Sequence, residues 1–193
     1  MKKLSGIIIL SILVVVGIWL ITTYNGLVKK SEQVNLQWNE VQNAYQRRLD
    51  LIPNLVNTVK AGADFEQTTL QKIAEARAKA TSVLQNTSLT AENYQQQSAA
   101  QNELAGAANR LIAVVERYPD LKGTEAFRSL QTQLERTELR IAIARKDFNA
   151  AIANYNSSVR GFPTKLAAGL LGFHAKEGFQ ADAGADKATE IKF

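Results

Sequence analysis

Residues 34–59 read VNLQWNEVQNAYQRRLDLIPNLVNTV. Val34, Trp38, Val41, Tyr45, Leu49, Ile52, Val56 and Val59 recur at intervals of three or four. That spacing lines one face of an α-helix, whereas a half-buried strand needs every second residue apolar. The stripe predicts a first helix over about 27–60. Pro53 lies inside it, where it removes a backbone donor and crowds the preceding turn. A kink near Leu49 is expected rather than a stop, because the apolar spacing resumes beyond the proline.

Toward the C-terminus the same periodicity continues. Gly62 supplies a C-terminal cap, and Asp64-Phe65-Glu66-Gln67 is a capping-box variant that opens a second helix over about 65–85, striped by Leu70, Ile73, Ala80 and Leu84. Asn86-Thr87-Ser88 form a polar turn; Thr90 then caps a third helix, with Leu89 and Tyr94 placed as a hydrophobic staple. Tyr94, Leu104, Ala108, Leu111, Val115 and Tyr118 carry its seam, and Pro119 disfavours helical geometry at Tyr118 and ends it. A fourth helix follows Gly123-Thr124 and reaches about Arg160, with Phe127, Leu130, Leu134, Ile141, Phe148, Ile152, Tyr155 and Val159 in step. Long helices joined by short connections pack antiparallel. Thr164 to Phe173 reads as a short apolar helix covering the bundle's end, and Ala181 to Phe193 as an extended tail.

Toward the N-terminus, Leu4 to Tyr24 is a run of 21 residues without a charge. At about 1.5 Å of rise per residue it spans a hydrocarbon core of about 30 Å. Trp19 and Tyr24 stand near one end, where amphipathic rings favour the interface. A cleaved signal peptide is the competing reading, but the run is long for one and no A-x-A-like site follows it. The fold class is therefore all-α, an N-terminal transmembrane helix followed by an antiparallel bundle of about four long helices. The chain divides into a short flank at 1–3, the span at 4–24, the bundle at 25–160 and a C-terminal apolar segment and tail at 161–193. Only Asn25-Gly26 separates the span from the first bundle helix, so the two are expected to be continuous. Lys2 and Lys3 face Lys29 and Lys30 across the run, so the positive-inside rule leaves the side of the bundle undecided. The span contains no G-x-x-x-G, and a homo-oligomer has no particular support.

Composition removes much of the enzyme menu. With no cysteine and one histidine, His174, the chain has no thiol nucleophile, no Cys-ligated metal and no site needing two imidazoles. Phosphate-loop, dinucleotide, nucleophile-elbow and kinase signatures are all missing. A di-iron bundle needs two Glu-x-x-His motifs, and Glu135 and Glu138 are followed by no histidine. No catalytic residue, cofactor or metal is expected. Beyond Lys2 and Lys3 there are 21 basic and 18 acidic residues without blocks, which argues against nucleic acid. Arg47-Arg48-x-Asp50 reads as a solvated face, with Arg47 and Asp50 spaced for an i,i+3 ion pair. Glu138, Arg140 or Arg145, if turned inward, would need a partner such as Glu103 or Glu116.

Several strings together resemble a known family. Tyr24-Asn25-x-Leu27-Val28, Trp38-x-x-Val41, Arg47-Arg48-x-Asp50-Leu51-Ile52-Pro53-Asn54-Leu55-Val56, Glu116-x-Tyr118-Pro119-Asp120-Leu121-Lys122, Glu138-x-x-Ile141-x-x-Ala144-Arg145, Tyr155-Asn156, Gly172-Phe173 and Phe179 are similar to the motifs of the LemA family of bacterial membrane-anchored proteins. Asp147-Phe148-Asn149 departs from an aromatic-Tyr-Asn string common in that family. The resemblance implies a transmembrane helix, an antiparallel helical bundle, no established enzymatic activity and a slight lean to a cytoplasmic bundle. Arg47, Arg48, Asp50, Pro53, Asn54, Tyr118, Pro119, Asp120 and Lys122 are the candidate interaction residues, and Pro119-Asp120-Leu121-Lys122 is placed in a loop where packing alone does not demand it. The expected function is a single-pass, membrane-anchored interaction or scaffold module, held in the bilayer by residues 4–24, whose partner is an unidentified membrane or envelope protein. The alternative is a lipid-interacting or membrane-remodelling protein that uses the apolar segment 166–173.

Overall fold

A computed structural model of the chain describes residues 2–62 and 67–180. Among them every regular element is a helix: α1 (Lys2–Gly62), α2 (Gln67–Leu84), α3 (Ala91–Val115), α4 (Pro119–Lys122), α5 (Glu125–Arg160) and α6 (Thr164–Leu170). The four long ones are those read from the apolar spacing. The span and the first bundle helix are one continuous helix of 61 residues, as expected. The helix passes through Pro53 without a stop. The capping box at Asp64 and the tail 181–193 lie outside the described residues.

α1 contains a window of mean hydropathy 2.6 that is long and apolar enough to cross a membrane, and none of it is buried within the protein. Ile7, Leu10, Leu13, Val15 and Ile18 are all more than half exposed. A soluble surface rarely carries so large a contiguous apolar patch.

The chain falls into two compact units. One takes the N-terminal part of α1 as far as Val41 together with Lys146–Lys176; the other takes Gln42–Arg145 and the chain from Glu177. In the first, Trp38 packs against Phe148 with ring centroids 5.3 Å apart, and the Lys30 ammonium donates to Asn154 Oδ1 at 3.2 Å and to the Ser158 hydroxyl. These pairs fix α1 and α5 antiparallel within this unit, with Gly26 level with Arg160 at the end of α5. After α6 the chain turns back along α5. Phe173 meets Tyr24 edge to face at 5.6 Å, and Asn156 exchanges two hydrogen bonds with the Lys176 backbone, at 2.7 and 2.8 Å. α6 is the short helix expected near Thr164, but its role differs. Ala167 and Ala168 face inward, whereas Leu166 and Leu170 are exposed and cover no core.

The second unit has a core drawn from α1 to α5, including Leu55, Ile73, Leu104, Leu111, Phe127 and Leu134. The stripe read from residues 34–59 is buried except at Val56, which is half-buried; Leu51 and Leu55 join it from the neighbouring face. Thr90 caps α3 as expected, its hydroxyl accepting from the Asn93 amide at 3.3 Å. α3 ends at Val115, a little before Tyr118, which instead opens α4. The string Pro119-Asp120-Leu121-Lys122, read as a loop that packing does not demand, is one helical turn, because proline suits the first position of a helix and Leu121 is buried in the core.

Candidate functional site

Two groups of motif residues sit in the second unit. The first is built around Arg48 on α1. The apolar stripe carries position 48 inward, so a guanidinium arrives in the core with its side chain 3% exposed. A buried charge must be paired and hydrogen-bonded. Nη1 of Arg48 donates to the Gln101 carbonyl at 2.8 Å and to Gln101 Oε1 at 3.1 Å, both on α3. Nη2 forms an ion pair with Glu138 on α5, whose carboxylate is half exposed. Nε of Arg48 and Nε2 of Gln101 have no protein acceptor among the described residues. One arginine thus ties three helices together.

Tyr45 lies one turn before Arg48 and is buried. Burial pushes its phenol above the ordinary value, while the Arg145 and Arg48 guanidiniums and the Ser98 hydroxyl pull the other way. Farther along α3, the Asn93 amide donates to the carbonyls of Asn86 and Ser88 at 2.9 and 2.6 Å, and Gln97 donates to Asn86 at 2.8 Å. These buried amides hold the α2–α3 turn. Beside them Phe179 packs on Tyr94 at 5.7 Å and lies under the Arg145 guanidinium at 4.6 Å.

The remaining α1 motif residues divide differently. Arg47 is exposed and donates to Gln133 at 2.9 Å, and Asp50 accepts from Gln46 at 2.8 Å. The expected Arg47–Asp50 pair is therefore replaced by two neutral partners. The solvated face suits these two but not Arg48. Asn54 is exposed and Pro53 half-buried. The carboxylates that an inward Arg140 or Arg145 would have needed are engaged elsewhere, Glu103 with Lys79 at 2.6 Å and Glu116 with Lys122, while Glu138 reaches Arg48.

The second group is the corner at Tyr118–Lys122. Leu121 anchors it, and the Thr124 hydroxyl donates to the Leu121 carbonyl at 2.8 Å while accepting from the Phe127 amide at 3.3 Å. Lys122 pairs with Glu116 across the turn. Tyr118, Pro119 and Asp120 are left exposed on a pinned support.

Sequence reasoning missed Gln97, Gln101 and Thr137 as buried residues. The signal was present as gaps. The third helix's apolar seam jumps from Tyr94 to Leu104, and the fourth's from Leu134 to Ile141; the stripe positions inside those gaps are polar and must be satisfied within the protein.

The chemistry open to this arrangement is limited. A cleft of about 130 Å³ beside Arg48 and Glu138 is lined also by Ile52, Asn109, Leu134 and Glu135. Small-molecule sites occupy about 300–1,000 Å³, so this one is a crevice rather than a substrate pocket. Among the described residues no group of three or more His, Cys, Asp or Glu side chains is placed to hold a metal ion.

Comparison with known proteins fits this architecture. The LemA family model matches residues 37–193. Magnetosome protein MamQ 2 of Paramagnetospirillum magneticum is 27% identical over 195 aligned residues, covering 91% of this chain and 72% of the relative. MamQ of Magnetospirillum gryphiswaldense is 25% identical, covering 83% of this chain and 65% of the relative. Protein LemA of Metamycoplasma hominis is 24% identical, covering 81% and 68%. With its exposed apolar helix and these relatives, the molecule is a membrane-associated helical protein. The motif strings, the helical fold and the match over most of its length establish that the chain belongs to the LemA family.

Proposed function

We propose that the protein is a single-pass, membrane-anchored interaction module without catalytic activity, which presents the Tyr118–Lys122 corner to another membrane or envelope protein. The observation that carries this reading is the division of labour within the corner. Leu121 and Thr124 secure the turn to the core, whereas Tyr118, Pro119 and Asp120 face outward. Conformations fixed in this way lose little entropy on binding. Arg48 acts at one remove, by holding α1, α3 and α5 together beneath the surface. Residues 4–24 cross the bilayer in this reading, and the cytoplasmic side is favoured by family resemblance alone.

The test is photocrosslinking in intact cells from a photoreactive residue at position 118 of the full chain. A discrete adduct with one protein, lost on Asp120→Ala, is the expected result. Adducts of the protein with itself only, or adducts unchanged by Asp120→Ala, would contradict the proposal.

A further inference from the structure

We propose that α6 is a second membrane contact, a foot resting in the interface of the same bilayer that α1 enters. Phe162, Leu166 and Leu170 are 86%, 64% and 87% exposed. Their spacing of four residues places the two leucines on one side of α6, with Phe162 just ahead of it. The opposite side carries the buried Ala167 and Ala168, whose small side chains let the helix lie close to its own unit.

The position of this apolar edge selects its occupant. The α1–α5 register ends at Arg160, level with Gly26 just past the apolar run, and Phe173 touches the ring of Tyr24, the last residue of that run. Between those two points the chain makes α6 and then climbs back to Lys176, paired with Asn156. α6 is thus the end of its unit that lies where the span leaves the hydrocarbon. Charge agrees. No acidic residue occurs in 1–31 or in 157–176, whereas Lys29, Lys30, Arg160, Lys165 and Lys176 all do. An apolar edge inside a basic, carboxylate-free collar fits a surface of anionic headgroups.

The inference rests on residues 4–24 spanning the bilayer, and one experiment separates the two. The chain has no cysteine, so single substitutions Val15→Cys, Glu40→Cys, Leu166→Cys and Leu170→Cys can each carry an environment-sensitive fluorophore. The full-length protein is reconstituted in phosphatidylcholine–phosphatidylglycerol vesicles, with and without lipids bearing a nitroxide high on the acyl chain. Labels at 166 and 170 are expected to emit to the blue of the label at 40 and to lose intensity with the nitroxide lipid, as the label at 15 does. Labels at 166 and 170 that behave like the one at 40, while the label at 15 is quenched, would overturn the foot, leave the span standing and give the apolar edge to a protein partner. Loss of quenching at 15 as well would overturn both.

Discussion

Arg77 of α2 donates from Nε to the backbone carbonyl of Leu49 in α1, at 3.2 Å. That carbonyl is the one whose helical donor would be the amide of residue 53, and residue 53 is proline. A neighbouring helix thus supplies the hydrogen bond that the proline removes, and α1 continues for nine residues beyond it. The same contact ties α2 to α1 at one place along their length.

If Arg77 exists to satisfy Leu49, its worth must depend on Pro53. Arg77→Ala is expected to destabilise the full chain by about 1–2 kcal/mol. In a Pro53→Ala background, where an amide again reaches the carbonyl, the same change should cost clearly less. Urea unfolding in micelles, followed by circular dichroism, measures both. Equal costs in the two backgrounds would dissociate the residues.

The Arg48–Glu138 pair is lopsided, since the guanidinium is buried and the carboxylate half exposed. Glu138→Gln strands a buried charge, and is expected to cost about 2 kcal/mol, below the ~3–5 kcal/mol of a fully buried pair because water already reaches the carboxylate. Adding Arg48→Met to Glu138→Gln should recover part of the loss. The same unfolding assay checks the order, and a double variant weaker than Glu138→Gln alone would contradict it.

Within the corner, stability and recognition separate. Leu121→Ala is expected to cost about 2–5 kcal/mol by opening a cavity, whereas Asp120→Ala at an exposed position should stay within about 0.5 kcal/mol. Thermal unfolding of the two variants tests this. A large loss with Asp120→Ala would make that residue structural.

Tyr94 is buried, and desolvation pushes its phenol up to about 12. The folded state holds the proton that the unfolded state releases near pH 10, so this contribution to stability is complete below about pH 10 and is lost as the pH rises toward 12. Tyr94→Phe should flatten that fall. Phenolate absorbance gives the direct check: the variant should lose a late-titrating tyrosine, and an unchanged titration would place the shift elsewhere.

The four long helices and the cap at Thr90 were legible because they depend on local chemistry, whereas the extra helical turn at Pro119–Lys122 was not foreseen. Thr90, Pro119 and the three-to-four spacing act within a turn or two of themselves. The polar contacts were not, because each depends on which helices lie side by side. Arg48 reads as a surface residue from Arg47-Arg48-x-Asp50, and only the arrival of Gln101 and Glu138 makes a buried position tolerable. The holes in the stripes of α3 and α5 marked where polar residues would be buried without naming their partners. α6 illustrates the converse. Its leucines read as a cover for the core, but the alanines between them take that place and turn the leucines outward.

A membrane-anchored protein of this kind requires that the apolar run of α1 hold a folded helical domain on a bilayer. Alkaline carbonate extraction of cell membranes measures this most directly, comparing the natural chain with a Leu13→Asp, Val16→Asp variant. Retention of the natural chain in the membrane pellet, with release of the variant as a soluble, helical protein, is the predicted result. Release of the natural chain into the carbonate supernatant would contradict it.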